Sequence, residues 1–236
     1  MAKIRALLFD KDGTLLDFES TYGAATAKVL MTLAKGDLPL ARQLAEPAEF
    51  DLASTRFAPG SMIIAGTARD MAAAWADLLG EPDRDALVRR IDTLYLEHSS
   101  AAVTPFDYTR GTLDALIAMG LPLGIATNDS DAGARDHAEQ AGIADCFAFI
   151  AGHDSGYGQK PGPGMVLAFA EATGLEPGEI AMVGDSAHDM QCARAAGALA
   201  VAVTSGMTGE EHLRDVADHV LPGIDALPAL IARING

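Results

Sequence analysis

The stretch IRALLFDKDGT, residues 4–14, decides how this chain folds. Its first half, residues 4–9, is a short and nearly continuous apolar run, which is typical of a parallel strand buried on both faces. The run stops at Asp10, and a polar loop that contains Gly13 follows it directly. Because open parallel sheets bind ligands beyond the carboxyl ends of their strands, this loop is the first candidate for a functional site.

The same pattern recurs along the rest of the chain. Four further apolar runs alternate with four helical patterns: the runs are residues 122–126, 147–150, 180–183 and 198–203, and the helices are residues 108–119, 132–141, 164–173 and 187–196. Strands that alternate with helices predict parallel pairing through right-handed crossovers. The predicted fold class is therefore α/β, a Rossmann-like parallel sheet core.

One connection is far longer than a crossover requires. A crossover needs only about a dozen residues, and the helix at residues 108–119 can supply it alone. The segment before that helix is rich in alanine and leucine, with helical periodicity at three places, residues 24–34, 61–79 and 83–98. A structureless loop of this length is improbable. We therefore predict an α-helical cap domain of residues 17–105 inserted into an α/β core of residues 1–16 and 106–236.

Composition limits the possible partners and locations. The chain has 236 residues, and 33 acidic against 17 basic residues give a formal net charge of −16. This balance argues against nucleic acid as a partner, because phosphate backbones are bound by basic patches. Two cysteines, Cys146 and Cys192, do not make a disulfide scaffold. No apolar run approaches the roughly 20 residues of a membrane span, and no signal peptide is evident, so a cytoplasmic protein is expected.

Polar side chains gather at the predicted carboxyl ends of the strands. They are Asp10 and Asp12 after the first strand, Thr127 and Asn128 after the second, Lys160 in a glycine-rich loop beyond the third, and Asp185 and Asp189 after the fourth. Carboxylates at this density repel one another unless a cation lies among them. Hard oxygen ligands favour Mg²⁺ over zinc. The sequence thus predicts a magnesium and phosphate site at this edge.

Residue types at this edge suit phosphoryl transfer. A carboxylate such as Asp10 can act as a nucleophile and form an aspartyl phosphate. A second carboxylate two residues later, Asp12, can serve as general acid and then as general base. Thr127, Lys160 and backbone N–H groups at helix starts can hold the remaining phosphate oxygens.

The four segments FDKDGT (residues 9–14), Thr127-Asn128, Lys160-Pro161 and GDSAHD (residues 184–189) together resemble the haloacid dehalogenase superfamily, and its phosphoglycolate phosphatase-like branch in particular. The inserted segment matches the family's helical cap. The resemblance implies that Asp10 is the nucleophile and Asp12 the acid/base. It implies phosphate binding by Thr127, Asn128 and Lys160. It also implies that Mg²⁺ is held by the carboxylates of Asp10 and Asp185 and by the backbone carbonyl of Asp12, with Asp189 supporting the metal shell or the lysine.

The chain departs from the family pattern at two places. Lys11 stands where the family usually has an apolar residue such as leucine, and its side chain is expected either to point away from the phosphate or to add positive charge near the cap. Asp17-Phe18 replaces the Asp-Ser or Asp-Thr that is common in phosphoglycolate phosphatases and sugar-phosphate mutases. This second departure weakens the transfer of any particular substrate to the chain.

The function expected from these features is Mg²⁺-dependent hydrolysis of a small phosphate monoester, with phosphoglycolate-like anions as first candidates. The partner is then a small phosphorylated metabolite, and the chain is expected to be a monomer or a homodimer. A sugar-phosphate mutase would use the same four segments and differ in whether the phosphoenzyme excludes water. A catalytically idle, regulatory member of the family is the third alternative.

Several other residues carry weaker signals. His188 and Cys192 lie four apart on a predicted helix, but no second pair completes a zinc site. Arg56 and Arg69 in the predicted cap are candidates for a substrate carboxylate or second phosphate, although a solvated helix face explains them equally well. His219 is expected in an exposed segment without a role.

Overall fold

The structure is a computed structural model that describes residues 3–236. The chain forms two compact units. One, here called the core unit, consists of the described residues up to Asp17 together with Pro105–Gly236. The other, here called the inserted unit, is Phe18–Thr104.

The strands and helices alternate through most of the core unit, whereas helices dominate the inserted unit. The strands of the described residues are β1 (Ala6–Phe9), β2 (Phe50–Asp51), β3 (Arg56–Phe57), β4 (Leu123–Ala126), β5 (Phe149–Ala151), β6 (Ile180–Gly184), β7 (Leu199–Val203) and β8 (His219–Leu221). The α-helices are α1 (Phe18–Leu33), α2 (Leu38–Ala45), α3 (Met62–Ala65), α4 (Ala68–Leu79), α5 (Arg84–Ser99), α6 (Thr109–Ala118), α7 (Asp131–Gln140), α8 (Gly164–Thr173), α9 (Ala187–Ala196), α10 (Glu210–Arg214) and α11 (Leu227–Asn235).

A six-stranded sheet organises the core unit in the order β5-β4-β1-β6-β7-β8. Every neighbouring pair is parallel. Strand β1 lies between β4 and β6, and all four of its residues are buried, as its apolar run predicts. The chain leaves β1 toward β4 and leaves β6 toward β7, so the direction of winding reverses between these neighbours. The predicted α/β class with a parallel sheet is confirmed, and such a reversal is where open sheets form binding crevices.

Small and large side chains interlock on one face of this sheet. Phe169 on α8 and Met190 on α9 belong to a buried apolar cluster that also contains Leu8 and Met182 from the central strands. Gly124 on β4 makes room for the Phe169 ring: a Cβ there would lie 2.9 Å from the ring and 3.0 Å from the Leu8 side chain. The sheet can therefore carry α8 at close range only because position 124 has no side chain.

The inserted unit buries an aromatic core of its own. Trp75 on α4 is completely buried, and its indole N–H donates to the carbonyl of Leu44 on α2 at 2.9 Å. Phe18 packs against Phe57, with ring centroids 4.9 Å apart. Burial of aromatic rings that also have their polar atoms paired gives this unit its own stabilising centre.

The predicted single helix over residues 61–79 is wrong, because two helices occupy this segment. Gly66 adopts an extended backbone between α3 and α4, and Thr67 then begins α4 with a capping box. In this box the Thr67 hydroxyl accepts from the Asp70 N–H, and the Asp70 carboxylate accepts from the Thr67 N–H. These reciprocal bonds satisfy two backbone donors at the new helix start, which favours a break over a continuous helix.

The sequence patterns also missed some elements. The inserted unit contains helix α2 and the short antiparallel pair β2–β3, so it is not purely helical. In the core unit β8 pairs with β7 at the sheet edge. His219 was expected to be exposed, but it is half-buried within β8. Short, half-buried strands such as β8 have too few apolar residues to stand out from a loop.

Within residues 3–236, no helix combines the length and the apolar character that crossing a bilayer requires.

The packing at position 124 yields a prediction with an internal control. Gly124→Ala should destabilise the core unit by about 1–3 kcal/mol, because the added methyl group overpacks against Phe169 and Leu8. Gly111→Ala makes the same chemical change on the exposed face of α6, where a Cβ meets nothing within 4 Å. That change should stabilise the helix by about 0.5–1 kcal/mol. Urea unfolding measures the change in the free energy of unfolding for each variant. If both substitutions changed it equally, the close packing at position 124 would be contradicted.

Candidate active site

The carboxyl ends of three central strands bring the predicted polar residues together. Asp10 follows β1 and continues the sheet, because its N–H donates to the carbonyl of Val183 at 2.7 Å. Thr127 follows β4, and its backbone N–H donates to the carbonyl of Ala151 at 3.0 Å. Asp185 follows β6 directly. Ladder hydrogen bonds therefore fix the backbone at the sites where the functional side chains begin.

Lys160 reaches the same edge from the loop between β5 and α8. The Asn128 side chain holds its backbone on both sides: the amide oxygen accepts from the Lys160 N–H at 2.9 Å, and the amide group donates to the Lys160 carbonyl at 3.1 Å. The peptide bond that follows, to Pro161, is cis. Only 4% of Lys160 is exposed. Asn128 was predicted to bind phosphate, and in this structure its side chain positions the lysine loop.

The Lys160 ammonium lies between two carboxylates. Its Nζ is 2.6 Å from an oxygen of Asp10 and 2.6 Å from an oxygen of Asp189. Burial alone would lower the lysine pKa, but the two carboxylates outweigh burial and raise it above its ordinary value. The lysine is therefore a fixed positive charge beside Asp10.

Asp189 owes its position to the start of α9. Ser186 caps this helix, and both its N–H (3.0 Å) and its hydroxyl (2.6 Å) donate to one carboxylate oxygen of Asp189. The other oxygen accepts from Lys160. Because both oxygens of this fully buried carboxylate are engaged, Asp189 orients the lysine in this structure.

Three carboxylates meet at the edge of the sheet. One oxygen each from Asp10, Asp185 and Asp189 lies within 4.8 Å of the others, and all three residues are buried. Burial raises the pKa of Asp10 to about 7, although Lys160 acts in the opposite direction. Burial and the neighbouring Asp10 also raise the pKa of Asp185 well above its usual range. One ammonium thus does not compensate the negative charge of the cluster.

The donor set fits a hard divalent cation. Its members are carboxylate oxygens, which Mg²⁺ prefers, and neither histidine nor cysteine takes part. Gly13 also brings the β1 loop close to Asp185: its φ is +78°, and a Cβ at this position would meet the Asp185 carboxylate. A side chain here would occupy space beside the oxygens, so glycine leaves the carboxylate accessible to a ligand.

Thr127 and Thr14 place two buried hydroxyl groups in the loops that follow β4 and β1. Thr127 is buried, and its hydroxyl accepts from the Asp129 N–H at 3.1 Å. The N-cap of α7 is Ser130, so Thr127 does not serve as the helix cap. Thr14 is also buried, and its hydroxyl oxygen has no hydrogen-bond partner among residues 3–236. Thr127 therefore shapes the turn after β4 through its hydroxyl group.

The environment of Lys11 is more specific than either expectation stated above. Its side chain is 1% exposed and folds back onto the next residue, with Nζ 2.7 and 2.8 Å from the two oxygens of Asp12. Asp129 lies 3.2 Å from the same nitrogen. Burial would lower the pKa of Lys11, but Asp12 and Asp129 raise it. Lys11 is therefore a buried partner of Asp12, and it is not a surface charge.

Sequence patterns missed two residues that complete this pairing. Asp129 directly follows the Thr127-Asn128 segment, and His137 lies on α7, where its Nδ1 is 2.8 Å from the Lys11 ammonium. Burial and the nearby lysine lower the pKa of His137 to about 4. The available signal was Lys11 itself, because a lysine in an apolar position needs buried partners.

The weaker candidates lie apart from this cluster or have other partners. Arg56 and Arg69 are 72% and 67% exposed at their side chains and pair with Glu19 and Asp85, each at 3.3 Å. Solvated ion pairs of this kind explain both arginines. Cys192 is buried and lies 3.1 Å from the Gly162 carbonyl, and burial raises its thiol pKa to about 11. This thiol is not prepared to ligate zinc.

Comparison with known proteins identifies the family. The model of the haloacid dehalogenase-like hydrolases matches residues 4–197. The chain is 32% identical to a phosphoglycolate phosphatase of Shigella boydii, across 96% of this chain and 92% of that relative. It is also 32% identical to a phosphoglycolate phosphatase of Neisseria gonorrhoeae, across 98% and 94%. The chain therefore belongs to the haloacid dehalogenase-like hydrolases, and the predicted family is confirmed.

The same fold is found in a solved structure. A haloacid dehalogenase-like family hydrolase from Streptococcus pneumoniae superposes with a TM-score of 0.69 at 21% identity, covering 98% of this chain and 99% of that one. At this identity the likeness shows the shared fold alone.

The charge balance around Lys160 predicts its effect on stability. In chelator-treated protein, Lys160→Met should lose about 3–5 kcal/mol, because it leaves the buried Asp10 and Asp189 carboxylates without their cation. Asp10→Asn is the control within the same cluster. It should lower the free energy of unfolding far less, because the amide oxygen of the asparagine can still accept from Lys160. Denaturant unfolding measures both. A Lys160→Met variant as stable as the wild-type protein would show that the lysine does not compensate the cluster.

Proposed function

We propose that this hydrolase is a phosphatase that removes the phosphoryl group from a small phosphate monoester through an aspartyl phosphate on Asp10. The observation that carries the proposal is the placement of Asp10. It stands at the end of the central strand, inside the carboxylate cluster, with one oxygen bonded to Lys160 at 2.6 Å. The bond holds the carboxylate in one orientation and leaves its other oxygen for attack on phosphorus.

Asp12 is the proposed proton carrier. It lies two residues beyond the nucleophile and remains half-buried, so it is accessible to a reacting group beside Asp10. It gives a proton to the leaving oxygen when the phosphoryl group moves to Asp10. It then takes a proton from the water that hydrolyses the aspartyl phosphate.

Three groups are proposed to hold the phosphoryl oxygens. Thr127 follows β4, and Lys160 reaches the same edge of the sheet from the loop before α8. The Thr127 hydroxyl and the Lys160 ammonium would donate to the phosphoryl oxygens, together with backbone N–H groups of the residue 10–14 loop. Asn128 contributes through the Lys160 backbone that it holds. Because Lys160 is bonded to Asp10 and Asp189 beforehand, little reorganisation is needed when charge develops on the phosphoryl group.

Mg²⁺ is the proposed cofactor. The carboxylates of Asp10 and Asp185 and the backbone carbonyl of Asp12 would hold it, and Asp189 would support this shell through Lys160. When bound, the ion supplies positive charge that offsets the charge of the phosphoryl oxygens. This role agrees with the raised pKa values of Asp10 and Asp185, which indicate that the cluster lacks positive charge.

A phosphoglycolate-like anion is the first candidate substrate, because relatives named phosphoglycolate phosphatase match almost the whole chain. The inserted unit is proposed to serve as the cap that selects among small phosphorylated metabolites. With a net charge of −16 the surface repels such anions, so local charge at the site must bind them.

A phosphate-release screen tests the proposed activity. Phosphoglycolate, sugar phosphates, nucleotides and an aryl phosphate are offered with Mg²⁺ or with chelator. Asp10→Asn should abolish turnover, because an amide cannot form the aspartyl phosphate. If the wild-type protein released phosphate from none of these esters, the phosphatase proposal would be overturned. Isomerisation of a sugar phosphate without net phosphate release would instead favour the mutase alternative.

The separate roles of Asp12 and Asp185 predict different kinetic defects. Asp185→Asn removes a charged metal ligand and should raise the Mg²⁺ concentration needed for half-maximal rate. Asp12→Asn keeps the backbone carbonyl but loses the proton carrier, so its rate should fall by about 10²–10⁴-fold with little change in that concentration.

Mg²⁺ titrations of initial rate measure both defects, and thermal unfolding with added Mg²⁺ gives a readout without turnover. The ion should raise the melting temperature of Asp12→Asn but raise that of Asp185→Asn much less. Recovery of the Asp12→Asn rate at high Mg²⁺ would mean that the Asp12 side chain is itself a ligand.

A further inference from the structure

The residue between the two aspartates of the β1 loop has an unusual environment. Lys11 is almost completely buried, yet its ammonium contacts three polar groups from three segments. Both oxygens of Asp12 lie at 2.7 and 2.8 Å, Asp129 in the loop after β4 lies at 3.2 Å, and His137 Nδ1 on α7 lies at 2.8 Å. The ammonium thus contacts four acceptor atoms on three residues.

The contact with His137 also determines the state of the imidazole. A charged lysine has donors and no acceptor, so His137 Nδ1 must be the acceptor. The imidazole is then neutral and carries its proton on Nε2. A protonated histidine at this position would direct an N–H donor at an ammonium group 2.8 Å away, which electrostatic repulsion forbids.

Burying the Lys11 ammonium costs desolvation free energy, which points to a role for this lysine beside Asp12. An apolar side chain at position 11 would need no buried partners, whereas a buried ammonium requires carboxylates to offset its desolvation. Here Asp129 and His137 hold the ammonium on the side of α7, and the ammonium in turn binds the carboxylate of Asp12. Each carboxylate oxygen has a second lone-pair site, so Asp12 can be held by Lys11 and still meet a reacting group.

We propose that Lys11, anchored by Asp129 and His137, is a positioning residue that fixes the orientation of the Asp12 carboxylate for proton transfer. The proposal rests on the proposed function, in which Asp12 is the acid/base. It assigns Lys11 no contact with substrate. It also gives a role to the half-buried Asp129 and the buried His137, which belong to no proposed phosphate or metal contact.

A double-mutant cycle tests whether Lys11 acts through Asp12. The variants are Lys11→Met, Asp12→Asn and the combination, assayed for kcat/KM with phosphoglycolate or whichever alkyl phosphate the screen identifies. Lys11→Met should lower kcat/KM by about tenfold or more, within the range of general acid–base assistance. In the Asp12→Asn background the same change should cost less than about twofold, because residues that act as a unit are not additive.

The leaving group supplies a readout that general damage to the site would not change. The phenolate of an aryl phosphate can leave without protonation when the phosphoryl group moves to Asp10, so kcat/KM for this substrate should depend little on how Asp12 is oriented. Lys11→Met should therefore impair the alkyl phosphate much more than the aryl phosphate, and the Mg²⁺ concentration for half-maximal rate should stay near its wild-type value. Lys3→Met removes one exposed lysine from the same unit and should leave both substrates unaffected.

A second variant serves as the control in case Lys11→Met does not fold. Lys11→Met combined with Asp129→Asn neutralises the half-buried carboxylate that would otherwise lose its ammonium partner, while Asp12 is kept, and the same selective loss is expected. Histidine ¹⁵N spectra of the wild-type protein should show His137 as the neutral Nε2–H form at neutral pH, with the signal assigned by its absence in His137→Gln.

Additive losses in the cycle, equal losses on the two substrates, or an Nδ1–H or charged His137 would each overturn the positioning role. Wild-type protein that hydrolyses no ester, or Asp10→Asn protein that still turns over, would overturn the proposed function instead. The two failures are therefore distinguishable.

Discussion

The constraint on which this site depends is the excess of buried negative charge at the carboxyl end of the central strands. Asp10, Asp185 and Asp189 are placed together by β1, β6 and the cap of α9, and a single ammonium from Lys160 lies among them. The backbone has little freedom to relieve this repulsion, because ladder and capping hydrogen bonds fix both strand ends and the helix start. Charge compensation must therefore come from side chains and ligands, and it determines which residues can stand nearby.

Two lysines divide this compensation between them. Lys160 serves Asp10 and Asp189, whereas Lys11 serves Asp12 and Asp129. The two aspartates of the β1 loop are thus held by different cations, although they are only two residues apart. In the proposed chemistry one of these carboxylates attacks phosphorus and the other moves protons, so a separate partner for each allows their environments to differ.

The sequence predicted those features that depend on local pattern. Apolar runs that end in Asp10 or Asp185 identified the strands and the edge where they meet, because parallel strands must align their carboxyl ends. The partners of Lys11 could not be predicted this way. His137 lies 126 positions away on α7, and only the paired register of β1 and β4 brings its helix beside the first loop. Likewise, the break at Gly66 follows from a capping box that competes with an otherwise continuous helical pattern.

The same charge balance bears on ligand binding. Five carboxylates, those of Asp10, Asp12, Asp129, Asp185 and Asp189, share two ammonium groups, and every contact described for these ammonium groups is to a residue of the site. An incoming phosphate monoester adds further negative charge to this surplus. Neither lysine can leave its carboxylates without exposing a buried charge, so a phosphate that binds beside Lys160 requires further positive charge at the site. In the proposed function a divalent cation held by Asp10 and Asp185 would supply it where the surplus is greatest, so the carboxylate cluster and the proposed phosphate site would form one electrostatic unit.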